Sequence, residues 1–201
     1  HVDWKKVDFT FGGSTLEMLA QQDVSDPFFA VKVPYTDGTI LIVKHKEYVK
    51  NVAAFGFQFE RFVTGVAIDD CTDADFVEHL HLMRVGRHKV LFRAEVDAFV
   101  DGLPVEVKAS NPRYWGSNTM FQMISNGSTK LCHGVKSRGQ ITRIDMRRLS
   151  DVAKDALDNY DSNRLERNIL NGMAALEKQM VAVNDSEVFK VSFARGSLTL
   201  L

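Results

Sequence analysis

The pattern of apolar and polar positions predicts paired strands near both ends of the chain. Apolar residues dominate residues 28–33 and 39–43, and the turn-forming residues 36–38 lie between them. Two short apolar runs around such a turn are typical of a β-hairpin. Residues 187–194 and 197–201 repeat this pattern at the C-terminus, so we expect a closing pair of strands there.

Two further hairpins are predicted in the middle of the chain, each around a dipeptide that ends in glycine. Apolar and polar residues alternate on both sides of Asp101-Gly102 and of Arg138-Gly139. Alternation with a period of two is typical of strands with one buried face. The predicted strands are residues 88–100 with 103–109, and residues 129–137 with 140–146.

Three segments carry apolar residues every three to four positions, which predicts amphipathic helices. Residues 161–182 have the longest apolar stripe, and residues 114–126 end at Gly127, a common helix terminator. Residues 46–64 are interrupted by Gly56. Glycine inside a helix costs about 1 kcal/mol relative to Ala, so we expect a packing reason for it.

The mixed order of predicted elements favours an α+β fold in which mixed β-sheets are flanked by helices. Residues 69–86 have no clear period, and we expect a short helix there that ends at Gly86.

The 201 residues are 45% hydrophobic, which suits one domain across residues 1–201. Because the chain begins with His1 rather than Met, we expect a truncated N-terminus.

Charge, hydropathy and cysteine usage bear on the partners and the cellular compartment that we expect for the protein. The net charge of -1 gives no sign of a polyanion partner, although a nucleic-acid enzyme can concentrate positive charge locally while acidic metal ligands cancel the total. No apolar run approaches the roughly 20 residues that span a bilayer, so no membrane association is expected. Cys71 and Cys132 form no metal-binding or disulfide pattern, which favours a reducing compartment, cytoplasmic and/or nuclear. Residues 130–148 concentrate positive charge, and taken alone this stretch favours a solvated surface face.

The acidic stretch from Glu95 to Lys108 carries the candidate chemistry. Glu95 and Asp97 are two positions apart, so on a strand both side chains point the same way. Glu106 and Lys108 share a face of the next strand for the same reason. A turn at Asp101-Gly102 would bring Asp97 close to opposite Glu106, which clusters three carboxylates and one ammonium.

Such a cluster predicts a divalent-metal site. Like charges this close are unfavourable unless a cation lies between them. Carboxylate oxygens without His or Cys suit Mg²⁺ or Mn²⁺, and two ions about 3.5–4 Å apart can hold a phosphate and activate a water. An acid followed by acid-x-Lys on the next strand resembles the PD-(D/E)xK nuclease fold. The alternative is a hairpin whose charges alternate on a solvent face.

Several segments in a fixed order resemble the motifs of the decapping exoribonuclease (DXO) family. Together they span most of residues 28–152, and they imply a DXO-like fold with a PD-(D/E)xK nuclease-like core. The segments are residues 55–60 (G-Φ-x-Φ-E, Φ being apolar), 95–97 (E-Φ-D), 106–108 (E-Φ-K), 115–127 (a helix with a Gln before a closing Gly) and 130–143 (a G-Φ-R…G-Φ hairpin).

The resemblance implies roles for individual residues. Lys108 and Gln122 would contact the scissile phosphate or the attacking water. The family also has an Arg that binds the 5′ end of the substrate, and Lys5 lies near its position. Lys keeps the charge but loses the bidentate fork. The implied metal ligands are Glu60, Glu95, Asp97, Glu106 and the Val107 carbonyl, with Glu60, Asp97, Glu106, Lys108 and Gln122 as the catalytic set and Lys5, Lys108, Gln122, Lys136 and Arg138 as the substrate contacts.

The implied activity is metal-dependent hydrolysis at RNA 5′ ends. It covers pyrophosphohydrolysis of a 5′ triphosphate, removal of incomplete or NAD caps, and 5′-to-3′ trimming of RNA. One alternative is a catalytically divergent family member that binds RNA 5′ ends or a partner nuclease. Another is a PD-(D/E)xK nuclease that acts on DNA, which would show no preference for ribose.

Overall fold

The structure, a computed structural model, describes residues 3, 6–45, 55–65, 78–111, 117–158, 161–194 and 196–201. Eleven strands and five helices lie within these residues. The strands are β1 (Phe9–Phe11), β2 (Phe28–Lys32), β3 (Ile40–Lys44), β4 (Glu78–Val85), β5 (His88–Glu95), β6 (Ala98–Val100), β7 (Leu103–Ser110), β8 (Lys130–Ser137), β9 (Gln140–Arg148), β10 (Val188–Ala194) and β11 (Ser197–Leu200). The helices are α1 (Gly13–Gln21), α2 (Phe55–Thr64), α3 (Ser117–Asn126), α4 (Leu149–Leu157) and α5 (Ser162–Met180).

The described residues group into two compact units. The first unit takes residues from within 1–47, 80–93 and 160–201, and the second takes residues from within 48–79 and 94–159. The expectation of one domain across residues 1–201 stays a prediction. No helix in the described part of the chain is long and apolar enough to cross a membrane.

The first unit is built on a seven-stranded sheet of order β11-β10-β2-β3-β1-β5-β4. Strand β1 runs parallel to β3 and to β5, whereas β2, β10 and β11 pair with their neighbours antiparallel. Helices α1 and α5 pack together, and α5 also packs on β11. Gly172 of α5 permits this close approach, because a Cβ there would lie 2.7 Å from Leu19.

The second unit is built on a four-stranded sheet of order β6-β7-β8-β9. Strands β7 and β8 are parallel, and α3 lies between them in the chain. The β6–β7 hairpin turns at Asp101 and Gly102, whose φ angles of 54° and 75° suit a tight two-residue turn. Helices α2 and α3 both pack on β7, and α4 packs on α3 and β9.

The α+β prediction is confirmed, and most predicted elements form. The pairs β2–β3, β6–β7, β8–β9 and β10–β11 are the four predicted hairpins or strand pairs. Helices α3 and α5 lie within their predicted ranges, and α2 occupies the described part of the predicted helix at 46–64. The earlier part of that segment, 46–54, lies outside the described residues.

Two predictions are wrong. Where the expected helix of residues 69–86 falls on described residues, it is instead strand β4, whose residues alternate between exposed and half-buried from Glu78 to Val85; residues 69–77 lie outside the described residues. Residues 88–100 do not form one strand, because β5 ends at Glu95 and β6 begins at Ala98 in the other sheet. The sequence pattern also left β1, α1 and α4 unpredicted.

The glycine that permits close packing in the second unit is Gly134, not Gly56. A Cβ on Gly134 in β8 would lie 2.6 Å from Cζ of Phe59 on α2 and 2.8 Å from Cδ1 of Ile141. By contrast, no atom of the described residues lies within 4 Å of a Cβ built on Gly56. Gly134 therefore sets how near α2 approaches the sheet.

Gly134→Ala should destabilise the protein by about 1–3 kcal/mol, because overpacking forces the Phe59 ring and α2 away from β8. Urea unfolding measures the free energy of unfolding. The matched control is Gly56→Ala, which should be neutral or stabilising by up to about 1 kcal/mol, since the space is open and Ala favours helix. Equal destabilisation by both variants would contradict this account of the packing.

Candidate functional site

Strand β7 presents a buried carboxylate next to an ammonium. Glu106 and Lys108 are two positions apart on β7 and therefore point the same way. Glu106 is 3% exposed, and its Oε1 lies 3.1 Å from Nζ of Lys108. Burial raises the pKa of Glu106 to about 6; Lys108 opposes that shift and Asp97 adds to it. The lysine therefore compensates the buried charge only in part.

Asp97 is fixed to the same strand by a backbone hydrogen bond. The Val107 N–H donates to Oδ2 of Asp97 at 2.7 Å, so the carboxylate lies against β7 beside the hairpin. This bond and Lys108 favour the charged form, yet burial is the larger effect and raises the pKa of Asp97. The predicted position of Asp97 nearly opposite Glu106 is thus the one that the hairpin produces.

Helix α2 brings a third carboxylate, Glu60, to the hairpin. The pKa of Glu60 is raised from 4.5 to about 7, first by burial and then by the nearby carboxylates of Asp97 and Glu95. Lys108 acts in the opposite direction. Because α2 packs on β7, the helix delivers Glu60 to the cluster, although the sequence alone gave no contact between them.

Gln122 on α3 contributes a buried acceptor. Among the described residues, its Oε1 is a buried atom with no hydrogen-bond partner. Gln122 and Asn126 are four residues apart, so they share one face of α3. Asn126 on that face donates to Oε2 of Glu106 at 2.7 Å. The helix face that carries Gln122 is therefore the face turned toward the carboxylate cluster, and a buried acceptor there calls for a donor such as water.

Asn126 is the site residue that the sequence did not reveal. It is 1% exposed, and its side chain bonds directly to Glu106. An Asn followed by Gly at the end of a helix predicts only that the helix stops there. Gly127 does adopt the left-handed conformation that ends helices, with φ 78°. The sequence carried no signal that the Asn126 side chain points inward, since that depends on where α3 packs.

The remaining predicted site residues differ in how near they lie to the carboxylate cluster. Glu95 is exposed at the end of β5, within electrostatic reach of Glu60. Lys136 lies with its Nζ 4.1 Å from the centre of the Phe55 ring, where α2 begins. Arg138 is exposed in the β8–β9 turn. Lys5 lies outside the described residues, and Val107 remains a predicted carbonyl ligand.

The basic stretch 130–148 carries less free charge than its composition indicates. Arg143 pairs with Asp145 at 2.8 Å, and Arg147 pairs with Asp155 of α4 at 2.6 Å. These pairs are partly exposed and offset positive charge that could otherwise attract a polyanion. Lys136 of this stretch contacts helix α2, which carries Glu60, through the Phe55 ring.

The donor chemistry of the cluster fits a hard divalent cation. Burial raises the pKa of Glu60, Asp97 and Glu106, and neighbouring carboxylates add to the shift at Glu60 and Glu106. A positive charge among them would therefore be stabilising. No three acidic, His or Cys side chains of the described residues lie at metal-ligand spacing. Val107, Lys108 and Asn126 engage oxygens of Asp97 and Glu106, and each engaged oxygen keeps a further lone pair that an ion could use.

Comparison with known proteins identifies the fold. Rai1 of S. pombe, solved with 3′-FADP, matches with a TM-score of 0.74 and 17% identity over 98% of this chain and 72% of its own. Dxo1 of K. lactis, solved with manganese, matches with a TM-score of 0.73 and 13% identity over 100% of this chain and 66% of its own. Rai1 of Scheffersomyces stipitis, solved with (3′-NADP)+ and calcium, matches with a TM-score of 0.67 and 14% identity, covering 97% of this chain and 67% of its own.

The chain therefore has the fold of the Rai1 and Dxo1 proteins, which belong to the family whose motifs the sequence resembles. It spans about two thirds of the length of these relatives. No protein-family model matches the sequence, and no curated protein matches it.

The cluster should make the metal-free protein less stable as the pH rises. Between pH 4.5 and about 7 the folded protein keeps a proton on Glu60 that the unfolded chain releases, so the free energy of unfolding falls across this window. Glu106 adds a fall between pH 4.5 and about 6. Thermal unfolding in chelator at pH 5 and pH 7.5 should therefore give the lower Tm at pH 7.5.

Glu60→Gln should flatten this pH dependence, because a neutral amide carries no proton to lose. Glu166→Gln on the exposed face of α5 is the matched control and should follow the wild type. Parallel Tm curves for wild type and Glu60→Gln would show that Glu60 is not the buried carboxylate described above.

Proposed function

We propose that this chain is a divalent-metal-dependent hydrolase that acts on the 5′ ends of RNA. The observation that carries the proposal is the convergence of Glu60, Asp97 and Glu106 around Lys108 on a Rai1/Dxo1 fold. Carboxylates with raised pKa values that surround one lysine, beside a buried amide oxygen, form a site suited to a cation and a phosphate.

Mg²⁺ or Mn²⁺ fits this donor set, and two ions would suit phosphate chemistry. Glu60, Glu95, Asp97 and Glu106 would hold the metal, with the Val107 carbonyl as a further ligand. When bound, the metal would polarise the phosphate and lower the pKa of a bound water. Manganese is bound in the K. lactis Dxo1 structure and calcium in the S. stipitis Rai1 structure, which supports a divalent ion here.

Lys108 and Gln122 would act on the substrate and on the water. The Lys108 ammonium is a third exposed, so it can donate to a phosphate oxygen and offset charge that develops during attack. The Gln122 Oε1 would accept a hydrogen bond from the attacking water and orient its lone pair toward phosphorus. The water would form the new P–O bond as the bond to the leaving oxygen breaks. One water proton would pass to solvent, and the leaving oxygen would take up a proton from solvent.

The substrate class is an RNA 5′ end with a phosphate linkage, including triphosphate, incomplete-cap and NAD-cap forms. The two Rai1 proteins are solved with 3′-FADP and (3′-NADP)+, which supports a site that takes a dinucleotide linkage. Lys136 and Arg138 would contact the RNA chain, and Lys5 would contact its terminus. We place the protein in the cytoplasm and/or nucleus, where such RNA occurs.

Hydrolysis should depend on the cluster and on added metal. Purified protein with Mg²⁺ or Mn²⁺ would be incubated with 5′-triphosphate, NAD-capped and monophosphate RNA, and released products measured by chromatography. Glu106→Gln and Lys108→Met should each lower kcat/KM by about 100-fold or more, since charge stabilisation at the phosphate is lost. Glu166→Gln on α5 is the matched control and should keep wild-type activity.

The outcome of the same assay separates the alternatives. Equal hydrolysis of matched DNA would favour a general PD-(D/E)xK nuclease. No metal-dependent product from any RNA, with tight binding of the 5′ end retained, would favour a catalytically divergent binding protein. The paired Lys108–Glu106 geometry and the absence of a three-ligand group among described residues are the observations that favour this second candidate.

A further inference from the structure

We propose that Asn126 is a positioning residue that holds two metal-ligand positions, Glu106 and Glu95, at a fixed separation. This inference rests on the proposed function, because the ligand roles of Glu106 and Glu95 belong to that proposal. Asn126 itself needs to touch neither metal nor substrate. Its effect runs through the hydrogen bonds of one buried side-chain amide.

The amide nitrogen of Asn126 bridges two strands. Nδ2 donates to the Glu106 carboxylate on β7 at 2.7 Å and to the backbone carbonyl of Glu95, the last residue of β5, at 3.4 Å. An amide nitrogen has two hydrogens, so both bonds can form together. One side chain thus links the carboxylate of one proposed ligand to the backbone of the other.

The Ser128 N–H and the Glu106 carboxylate fix the orientation of this amide. The Ser128 N–H donates to Oδ1 at 3.0 Å, which assigns oxygen and nitrogen, since the Glu106 carboxylate requires a donor. Because Asn126 is 1% exposed, water cannot replace these two partners if the side chain rotates. His79 holds the end of α3 separately, since its Nδ1 lies 3.1 Å from the backbone carbonyl of Asn126 and donates to it.

The result is a carboxylate with both oxygens oriented. Oε2 of Glu106 accepts from Asn126 and Oε1 lies beside the Lys108 ammonium, which leaves a further lone pair on each oxygen. Groups that orient metal ligands in this way typically change metal affinity by about 10–100-fold when they are removed. A side chain without a donor at position 126 would let Glu106 rotate away from the other carboxylates.

Two variants test this role, so that the test does not depend on a single substitution that could prevent folding. Asn126→Leu has a similar size but removes every side-chain hydrogen bond. Asn126→Ser keeps a hydroxyl that can accept from the Ser128 N–H, as serine does in such turns, but the hydroxyl is too short to reach Glu106. Asn118→Ser, on the exposed first turn of the same helix, is the matched control.

The main readout is Mn²⁺ binding in the absence of substrate. The electron paramagnetic resonance signal of free Mn²⁺ measures how much of the ion is bound. We expect Asn126→Leu and Asn126→Ser to bind Mn²⁺ about 10–100-fold more weakly than wild type, and Asn118→Ser to match wild type. In activity assays, Asn126→Ser should need more Mn²⁺ for half-maximal rate but recover most of kcat at saturating Mn²⁺. A merely structural defect would lower kcat and leave the Mn²⁺ requirement unchanged.

Wild-type Mn²⁺ affinity in either folded Asn126 variant would overturn the proposal, as would a lower kcat with an unchanged Mn²⁺ requirement. If wild-type protein binds no Mn²⁺, the proposed function falls instead. The Asn126–Glu106 contact is then tested in metal-free protein by combining Asn126→Ser with Glu106→Gln. Additive effects on unfolding would overturn the contact, and non-additive effects would support it.

Discussion

The burial of the Glu106 carboxylate on β7 is the constraint around which the candidate site is arranged. A buried anion is costly unless cations and donors surround it. Lys108 and Asn126 supply both, yet the pKa of Glu106 is still raised to about 6, because burial and the neighbouring Asp97 outweigh them. Positive charge therefore compensates the Glu106 carboxylate only in part, and this is the physical basis for proposing a divalent cation at the site.

The carboxylate is buried because β7 is an interior strand of its sheet. Strand β7 lies between β6 and β8, and helices α2 and α3 pack on it. Helix α2 carries Glu60, while α3 carries Gln122 and Asn126. Gly134 lets the Phe59 ring approach β8, so the absence of one side chain helps to fix the helix that delivers a carboxylate. The position of Glu60 in the second unit therefore depends on backbone spacing as well as on charge.

Relatives with the same fold share only 13–17% of their residues with this chain. An apolar core of suitable size and pattern can be built from many sequences, so low identity is compatible with one architecture. The candidate site is more restrictive, because Asp97, Glu106, Lys108 and Asn126 are held by contacts of 2.7 to 3.4 Å. Functional inference therefore rests on this geometry rather than on identity.

Local pattern determined much of this protein. The period of two gave the hairpins, and it placed Asp97 beside Glu106 because Asp101 and Gly102 can form only a tight turn at that spacing. Local pattern failed where a neighbour decides the outcome. Strand β4 was mistaken for a helix, and residues 88–100 were joined although the chain changes sheets after Glu95.

By itself, the sequence determined which acids share a strand, since side-chain direction follows from the backbone repeat. Only the tertiary structure decided that Glu60 reaches them and that Asn126 turns inward. Those contacts join residues 20 to 46 positions apart in the chain, and they arise from how α2 and α3 pack on β7. Packing over such separations leaves no local repeat in the sequence from which to predict it.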